Sequence, residues 1–246
     1  MTTGCFNKAR DDVKASLYDK DKGEIDGVKV KIIGKDEWEK TKEKLSKTTG
    51  CTKDEADYAI KLANDTAKAT GEHVEPKVTE ALTKAVFDIG GKMIGLEHRL
   101  KQPDSLARKM LTDAKEKIAK ANDVGKTLTF KRAMELAQKQ SFDGIRYTAV
   151  FDEGNFTESY NKVLKALKDK KIQHVRCKNF FNDFHDGNSA QKAVQDLFQC
   201  PDGTIFELQF HTTDSLAVKN GVNHALYETA RLPQYEDTVG VGILTQ

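Results

Sequence analysis

The stretch Thr204-Ile-Phe-Glu-Leu-Gln-Phe-His-Thr212 alternates with the period of a β-strand. Phe206, Leu208 and Phe210 fall on one side, and Ile205, Glu207, Gln209 and His211 on the other. A carboxylate, an amide and an imidazole in consecutive steps can hold a divalent cation or accept a proton beside an anionic substrate. A second stretch, Arg99-Leu-Lys101-Gln-Pro-Asp-Ser105-Leu-Ala-Arg-Lys109, supplies the opposite charge. Arg99 and Lys101 are two apart on an extended segment and so point the same way. Ser105 falls in the first turn of a helix, and Lys109 lies one turn further along the same face. Three cations beside the amides of a helix N-terminus suit a polyphosphate.

Asp143 stands at the entry to an apolar strand over 142–151, followed by Arg146. A carboxylate there can hold a cation if a second acid approaches from a neighbouring strand, and Glu207 is the candidate. In His224-Ala-Leu-Tyr-Glu228 the imidazole and the carboxylate share a helix face. The helical zinc signature has two histidines with a glutamate between them, and this stretch lacks it. Gly125-Lys126-Thr127 resembles the tail of a phosphate-binding loop, but Lys120 occupies the place of the first glycine and no strand precedes it. His185-Asp186 lacks the partner His and Asp of a metal phosphohydrolase.

These residues need elements to carry them. A short alternating run over 28–33 reads as a strand or hairpin arm, followed by a charged helix over 37–46. Thr52 with Glu55 forms a capping box that opens a helix stopping near Gly71, and Pro76 opens another that ends at Gly90-Gly91. Further helices are expected over 104–122, 130–139, from Asn155 or Thr157 to the 168–171 run, and over 214–230. Strands are expected over 93–96, 142–151, 172–178, 191–199 and 204–212, the last two joined by the Pro201-Asp202-Gly203 turn. This order predicts an α/β (α+β) fold with a mixed sheet of about five strands flanked by helices. Residues 1–88 form a mostly helical N-terminal region and 89–246 the domain that carries the motifs.

Composition narrows the classes. At 246 residues, 38% hydrophobic and 32% charged, the chain can bury one good core under a charged surface. Lys+Arg 40 against Asp+Glu 38 nearly cancel, so affinity for polyanions must come from local clusters. No apolar run reaches membrane-spanning length, and the first residues lack the apolar core of a secretory signal. Cys5, Cys51, Cys177 and Cys200 form no C-x-x-C pair, which argues against zinc and leaves one or two disulfides open.

Four short motifs in this order resemble the synthetase domain of the RelA/SpoT family, the alarmone pyrophosphokinases that act on GDP and GTP. They are R-x-K-x-x-x-S-x-x-x-K at Arg99–Lys109, D-x-x-R at Asp143–Arg146, E-x-Q-x-x-T at Glu207–Thr212 and H-x-L-Y-E at His224–Glu228. The variants D-G-I-R-Y-T and P-D-G-x-x-F-E-L-Q-F-H-T look closer to the toxin-type branch of small synthetases. The resemblance implies a nucleotidyltransferase-like synthetase fold and Mg2+-dependent transfer of the β,γ-pyrophosphate of ATP to a ribose 3′-hydroxyl. By that likeness Arg99, Lys101 and Lys109 grip the ATP phosphates with Ser105 nearby, and Asp143 and Glu207 hold Mg2+. Glu207 also accepts the 3′-hydroxyl proton; Arg146, Gln209 and His211 line the site, and His224 and Glu228 brace it. Arg99 is counted with Glu207 and Asp143 as catalytic.

The family's guanine-stacking tyrosine is replaced here: Gln191 stands in the corresponding segment. An adenine nucleotide or a tRNA 3′ end thereby joins GDP and GTP as an expected acceptor. The toxin-type likeness implies growth inhibition, an antitoxin or immunity protein as a neutralising partner, no membrane partner, and a cytoplasmic site of action, reached by delivery in the secreted-effector settings of the branch. An alternative from another class is a non-catalytic RNA- or nucleotide-binding module on a degenerate synthetase scaffold, whose lysine runs at 115–120 and 162–171 would contact a nucleic-acid backbone.

Overall fold

A computed structural model of the protein describes residues 3–18, 25, 30–141, 144–182 and 192–220. In chain order the elements are α1 (Thr3–Ala15), α2 (Lys35–Thr49), α3 (Lys53–Ala69), α4 (Glu75–Phe87), β1 (Lys92–Ile94), α5 (Pro103–Asp123) and α6 (Phe130–Lys139). Then follow β2 (Arg146–Phe151), α7 (Phe156–Asp169), β3 (Gln173–Asn179), β4 (Val194–Gln199), β5 (Ile205–Thr212) and α8 (Thr213–Val218). They divide between two compact units. A helical unit comprises Asp26–Lys77 and Glu97–Arg146; a sheet unit comprises Met1–Ile25, Val78–Leu96 and Tyr147–Gln246.

The helical unit is built on small side chains. Ala56, Ala59 and Ala63 of α3 and Ala107 and Ala114 of α5 are fully buried, as are Ala133 and Ala137 of α6, with Ile60, Met110, Leu111 and Met134 among them. Alanine at the contact lets helix backbones approach closely, so the long side chains fill what remains. The capping box that opens α3 forms: the Thr52 hydroxyl accepts from Glu55 N at 3.2 Å, and Glu55 Oε2 accepts from Thr52 N at 2.9 Å. Gly50, in the left-handed region at φ 61°, ends α2.

The arm expected over 28–33 is not a strand where it is described, from Val30 to Ile33. The reason is an amide clamp. Asn64 on α3 accepts from Ile33 N at 2.9 Å and donates to Ile33 O at 2.9 Å, giving that residue both backbone bonds a sheet neighbour would supply.

In the sheet unit the strand order is β1-β2-β5-β4-β3, one open mixed sheet flanked by helices. The β1–β2, β5–β4 and β4–β3 pairings are antiparallel, so β2 and β5 run parallel. The fold class expected from sequence is the one found. The strand expected over 191–199 runs from Val194, paired with β5 from Gln199↔Ile205 to Val194↔Phe210. Its turn closes through Cys200 N donating to Thr204 O at 2.8 Å, with Gly203 at φ 88°. One face of the sheet carries the aromatic core: Tyr147 lies edge-on to Phe206, Phe206 stacks on Phe198, and Phe151 stacks on Phe210. Tyr147 is anchored from α4 by a 2.8 Å hydrogen bond with Thr79.

Helix α1 was not expected. Its apolar residues Phe6, Ala9 and Val13, with Leu17 beyond its end, recur at helical spacing among lysines and aspartates and pack with Val150, Leu216 and Ala217. Arg10 of α1 pairs with Asp214 of α8 at 2.7 Å. The expected helix over 214–230 is described as α8 to Val218; the residues after 220 lie outside the described part. Among the described residues no helix is long and apolar enough to cross a membrane.

Candidate functional site

Two of the sequence motifs meet by backbone pairing inside the helical unit. Arg146 N donates to Arg99 O at 2.8 Å and Lys101 N donates to Gly144 O at 3.0 Å, making an antiparallel bridge centred on Leu100 and Ile145. Leu100 and Ile145 are buried, and strand alternation sets Arg99, Lys101 and Arg146 on the side away from them. So R-x-K and the arginine of D-x-x-R share one ribbon and one side of it. Asp143 lies outside the described residues.

The three cations differ in surroundings. Arg99 is buried, and its Nε donates to Oε1 of Glu75, a carboxylate as deeply buried at the start of α4. Lys101 is half-buried and Arg146 exposed. A buried guanidinium requires a paired carboxylate, and Glu75 is that carboxylate; the sequence reading did not single it out.

The N-terminus of α5 is less open than expected. Pro103 occupies the first turn after Gln102, but Asp104 already accepts from Ser105 N at 2.7 Å and lies 3.6 Å from Lys44. An acid thus occupies the positive end of this helix, where an anion was anticipated. One turn on, Lys109 pairs with Asp113 at 3.2 Å in a partly exposed bridge.

On the sheet unit, β5 has the predicted alternation, with Phe206, Leu208 and Phe210 fully buried. The polar side is not uniformly open. Glu207 is half-buried, while Gln209 is 3% and His211 0% exposed, so the row runs from a solvent-accessible carboxylate into the interior. These side chains are wired together. Gln209 Nε2 donates to Glu207 Oε1 at 2.6 Å, and Gln209 Oε1 accepts from Lys219 Nζ at 2.5 Å.

His211 takes a different partner. Its Nδ1 lies 2.9 Å from the Ser215 hydroxyl, which also accepts from Thr212 N at 3.0 Å and lies 3.2 Å from Thr212 O. The hydroxyl has one proton to give, to Thr212 O or to His211 Nδ1, and the imidazole tautomer sets which. Burial, helped by the Lys219 charge, pushes the imidazole down to about 3, so it is neutral near pH 7. Its Nε2 is buried, with no hydrogen-bond partner among the described residues. The histidine expected to line an anion site contributes no positive charge there.

Register shows two further cations on the face of Glu207. Arg176 pairs with Leu197, which pairs with Glu207; Lys178 pairs with Gln195, which pairs with Gln209. Directly paired residues point to the same side of a sheet. Arg176 and Lys178 are exposed on the edge strand β3. Sequence reading named the strand but not these residues, although their spacing of two was visible. Their alignment with Glu207 depends on a bulge at His174/Arg176 that no local signal announces.

The opposite face of the same strands holds a buried carboxylate with no assigned role. Asp196 is fully buried and accepts from the Tyr160 hydroxyl at 2.9 Å, with His174 Nε2 at 3.0 Å. Burial and then the Asp196 charge raise the Tyr160 phenol well above its ordinary range, so it keeps its proton. Burial, followed by the bond to Asp196, also raises the Cys177 thiol. Cys51, Cys177 and Cys200 are free thiols.

Among the described residues, no group of three or more His, Cys, Asp or Glu side chains is arranged to hold a metal ion. Glu207 has oxygen chemistry suited to Mg2+, with Oε1 already engaged by Gln209. His224, Glu228 and Gln191 lie, with Asp143, outside the described residues. No known protein family and no curated protein matches the chain.

Proposed function

We propose that this protein is a Mg2+-dependent pyrophosphokinase of the RelA/SpoT type, close to the toxin branch. It transfers the β,γ-pyrophosphate of ATP to the 3′-hydroxyl of a guanine or adenine nucleotide or of a tRNA 3′ end. The reaction makes a bond from the 3′-oxygen to the β-phosphorus and breaks the bond from that phosphorus to the α,β-bridging oxygen. AMP leaves, and the hydroxyl proton goes to the Glu207 carboxylate. The observation that carries this reading is the ribbon that joins R-x-K to the arginine of D-x-x-R, with the half-buried Lys101 and the exposed Arg146 on one side of it. Phosphoryl-type transfer asks for positioning and charge neutralisation rather than covalent chemistry.

Glu207 supplies the base. It is accessible at the outer end of the β5 row, and Gln209 fixes one of its oxygens. Arg176 and Lys178 on the same sheet face add positive charge for an anionic acceptor. Glu207 and Asp143 would hold Mg2+, which when bound neutralises the polyphosphate. The test is AMP release from ATP in the presence of GDP, GTP, adenine nucleotides or tRNA. Wild-type protein should release AMP with at least one acceptor. Glu207→Gln should lose at least about a hundredfold in kcat, the size of a general-base contribution, while ATP still binds. No AMP with any acceptor overturns the reading.

The burial of Arg99 against Glu75 favours a second reading, a non-catalytic nucleotide- or RNA-binding module, because a guanidinium so engaged is withheld from phosphate. That reading expects strongly salt-dependent RNA binding, unchanged by Glu207→Ala.

A further inference from the structure

Between Lys219 and Glu207 stands one side chain that can do only one thing. Lysine has donors and no acceptor, an ionised carboxylate has acceptors and no donor, and an amide has both. Gln209 therefore must turn its oxygen to Lys219 Nζ, at 2.5 Å, and its nitrogen to Glu207 Oε1, at 2.6 Å. The reverse orientation would set donor against donor and acceptor against acceptor. Gln209 is 3% exposed, so water does not compete for either contact.

The lysine is itself located by the fold. It follows α8 directly, and α8 is pinned to the end of β5 by the Thr212–Ser215 capping box. The Ser215 hydroxyl in that box also holds His211. Ten residues of chain separate Lys219 from Gln209, yet a strand, a capped turn and a short helix bring them into contact. A single hydrogen-bonded line thus runs from an ammonium through an amide to the carboxylate, and the charge at one end polarises the bonds along it.

We propose that Lys219 is a positioning residue for Glu207, acting through Gln209. It fixes the rotamer of the carboxylate and engages Oε1, which directs the remaining oxygen toward the reacting groups. This rests on the reading of Glu207 as the base, and the two can be separated experimentally.

One arm measures kcat and KM for AMP release in Lys219→Met, Lys219→Arg, Gln209→Met and the Lys219→Met/Gln209→Met double variant. Loss of such an outer hydrogen-bond partner typically costs about tenfold or more. Lys219→Met should lower kcat by that factor with the KM for ATP unchanged. Lys219→Arg should recover most of it, and the double variant should be no worse than Gln209→Met, because both act through one line. The other arm follows the side-chain amide resonances of Gln209 by NMR, a readout that needs no activity. The proton bonded to the carboxylate should be shifted downfield and slow to exchange in wild type, and should lose both properties in Lys219→Met.

Losses in kcat that add up in the double variant, or Gln209 amide signals that ignore Lys219→Met in a folded protein, overturn the proposal. Absence of AMP from wild-type protein together with a responsive Gln209 amide would retain the hydrogen-bonded line and sink the catalytic reading.

Discussion

Arg99 in the helical unit and Glu207 in the sheet unit are the two charges around which the motifs are arranged, and the protein holds them in opposite ways. Arg99 is buried and meets an opposite charge directly, in Glu75. Glu207 is half-exposed and, among the described residues, is linked to the Lys219 charge through the Gln209 amide. A direct buried pair is costly to break on one side and commits both charges to each other. A carboxylate steadied through an amide keeps its charge available. The contrast separates charge used mainly for structure from charge left available for chemistry.

Breaking the direct pair should have the largest effect. Glu75→Leu leaves the Arg99 guanidinium buried without that carboxylate, and should cost about 3–5 kcal/mol in urea unfolding. The Glu75→Leu/Arg99→Met double variant should recover most of that loss, since two apolar groups need no compensation. A double variant as unstable as Glu75→Leu would mean that the loss does not come from stranding the Arg99 charge.

The inner end of the β5 row gives the next effect, through pH. Burial holds the folded His211 imidazole near 3, against an ordinary value of 6.5. Between those values the unfolded chain binds the proton and the folded chain does not. Stability from this group is therefore complete above about pH 6.5 and falls as pH drops, by up to about 1.4 kcal/mol per pH unit. His211→Asn keeps a polar amide near the Ser215 hydroxyl and cannot titrate. Its unfolding free energy should flatten between pH 6.5 and 4, the wild type's should not, and equal slopes would contradict the burial argument.

Lys109→Met should have the smallest effect on the fold. Its bridge to Asp113 is partly solvated, so stability should change by no more than about 1 kcal/mol, while the KM for ATP rises. A loss of fold without a change in KM would move Lys109 to the structural side of the comparison.

How much of this was legible in the sequence depended on range. The alternation of β5, the Thr52–Glu55 capping box and the Pro201–Gly203 turn are local, and each formed as read. The same-side placement of Arg99 and Lys101 followed from period alone; their pairing with Gly144 and Arg146 joins motifs more than forty residues apart. What escaped notice was non-local. The Asn64 clamp on Ile33, 31 residues away, removed an expected strand. The Glu75 partner of Arg99 lies 24 residues upstream, at the start of α4. The contact of His211 with Ser215 of α8, and the packing of α1 on Val150, Leu216 and Ala217, are likewise set by tertiary structure, and the apolar spacing of α1 was masked by its lysines and aspartates.

The most direct test of the central claim is the fate of label from γ-phosphorus-labelled ATP, followed with one accepting nucleotide and with its 3′-deoxy counterpart. Wild-type protein should place the label on the 3′-hydroxyl acceptor, with one AMP formed per acceptor modified, and should do neither with the 3′-deoxy compound or after Glu207→Gln. Label released as inorganic phosphate, or AMP formed equally with the 3′-deoxy acceptor, would contradict it.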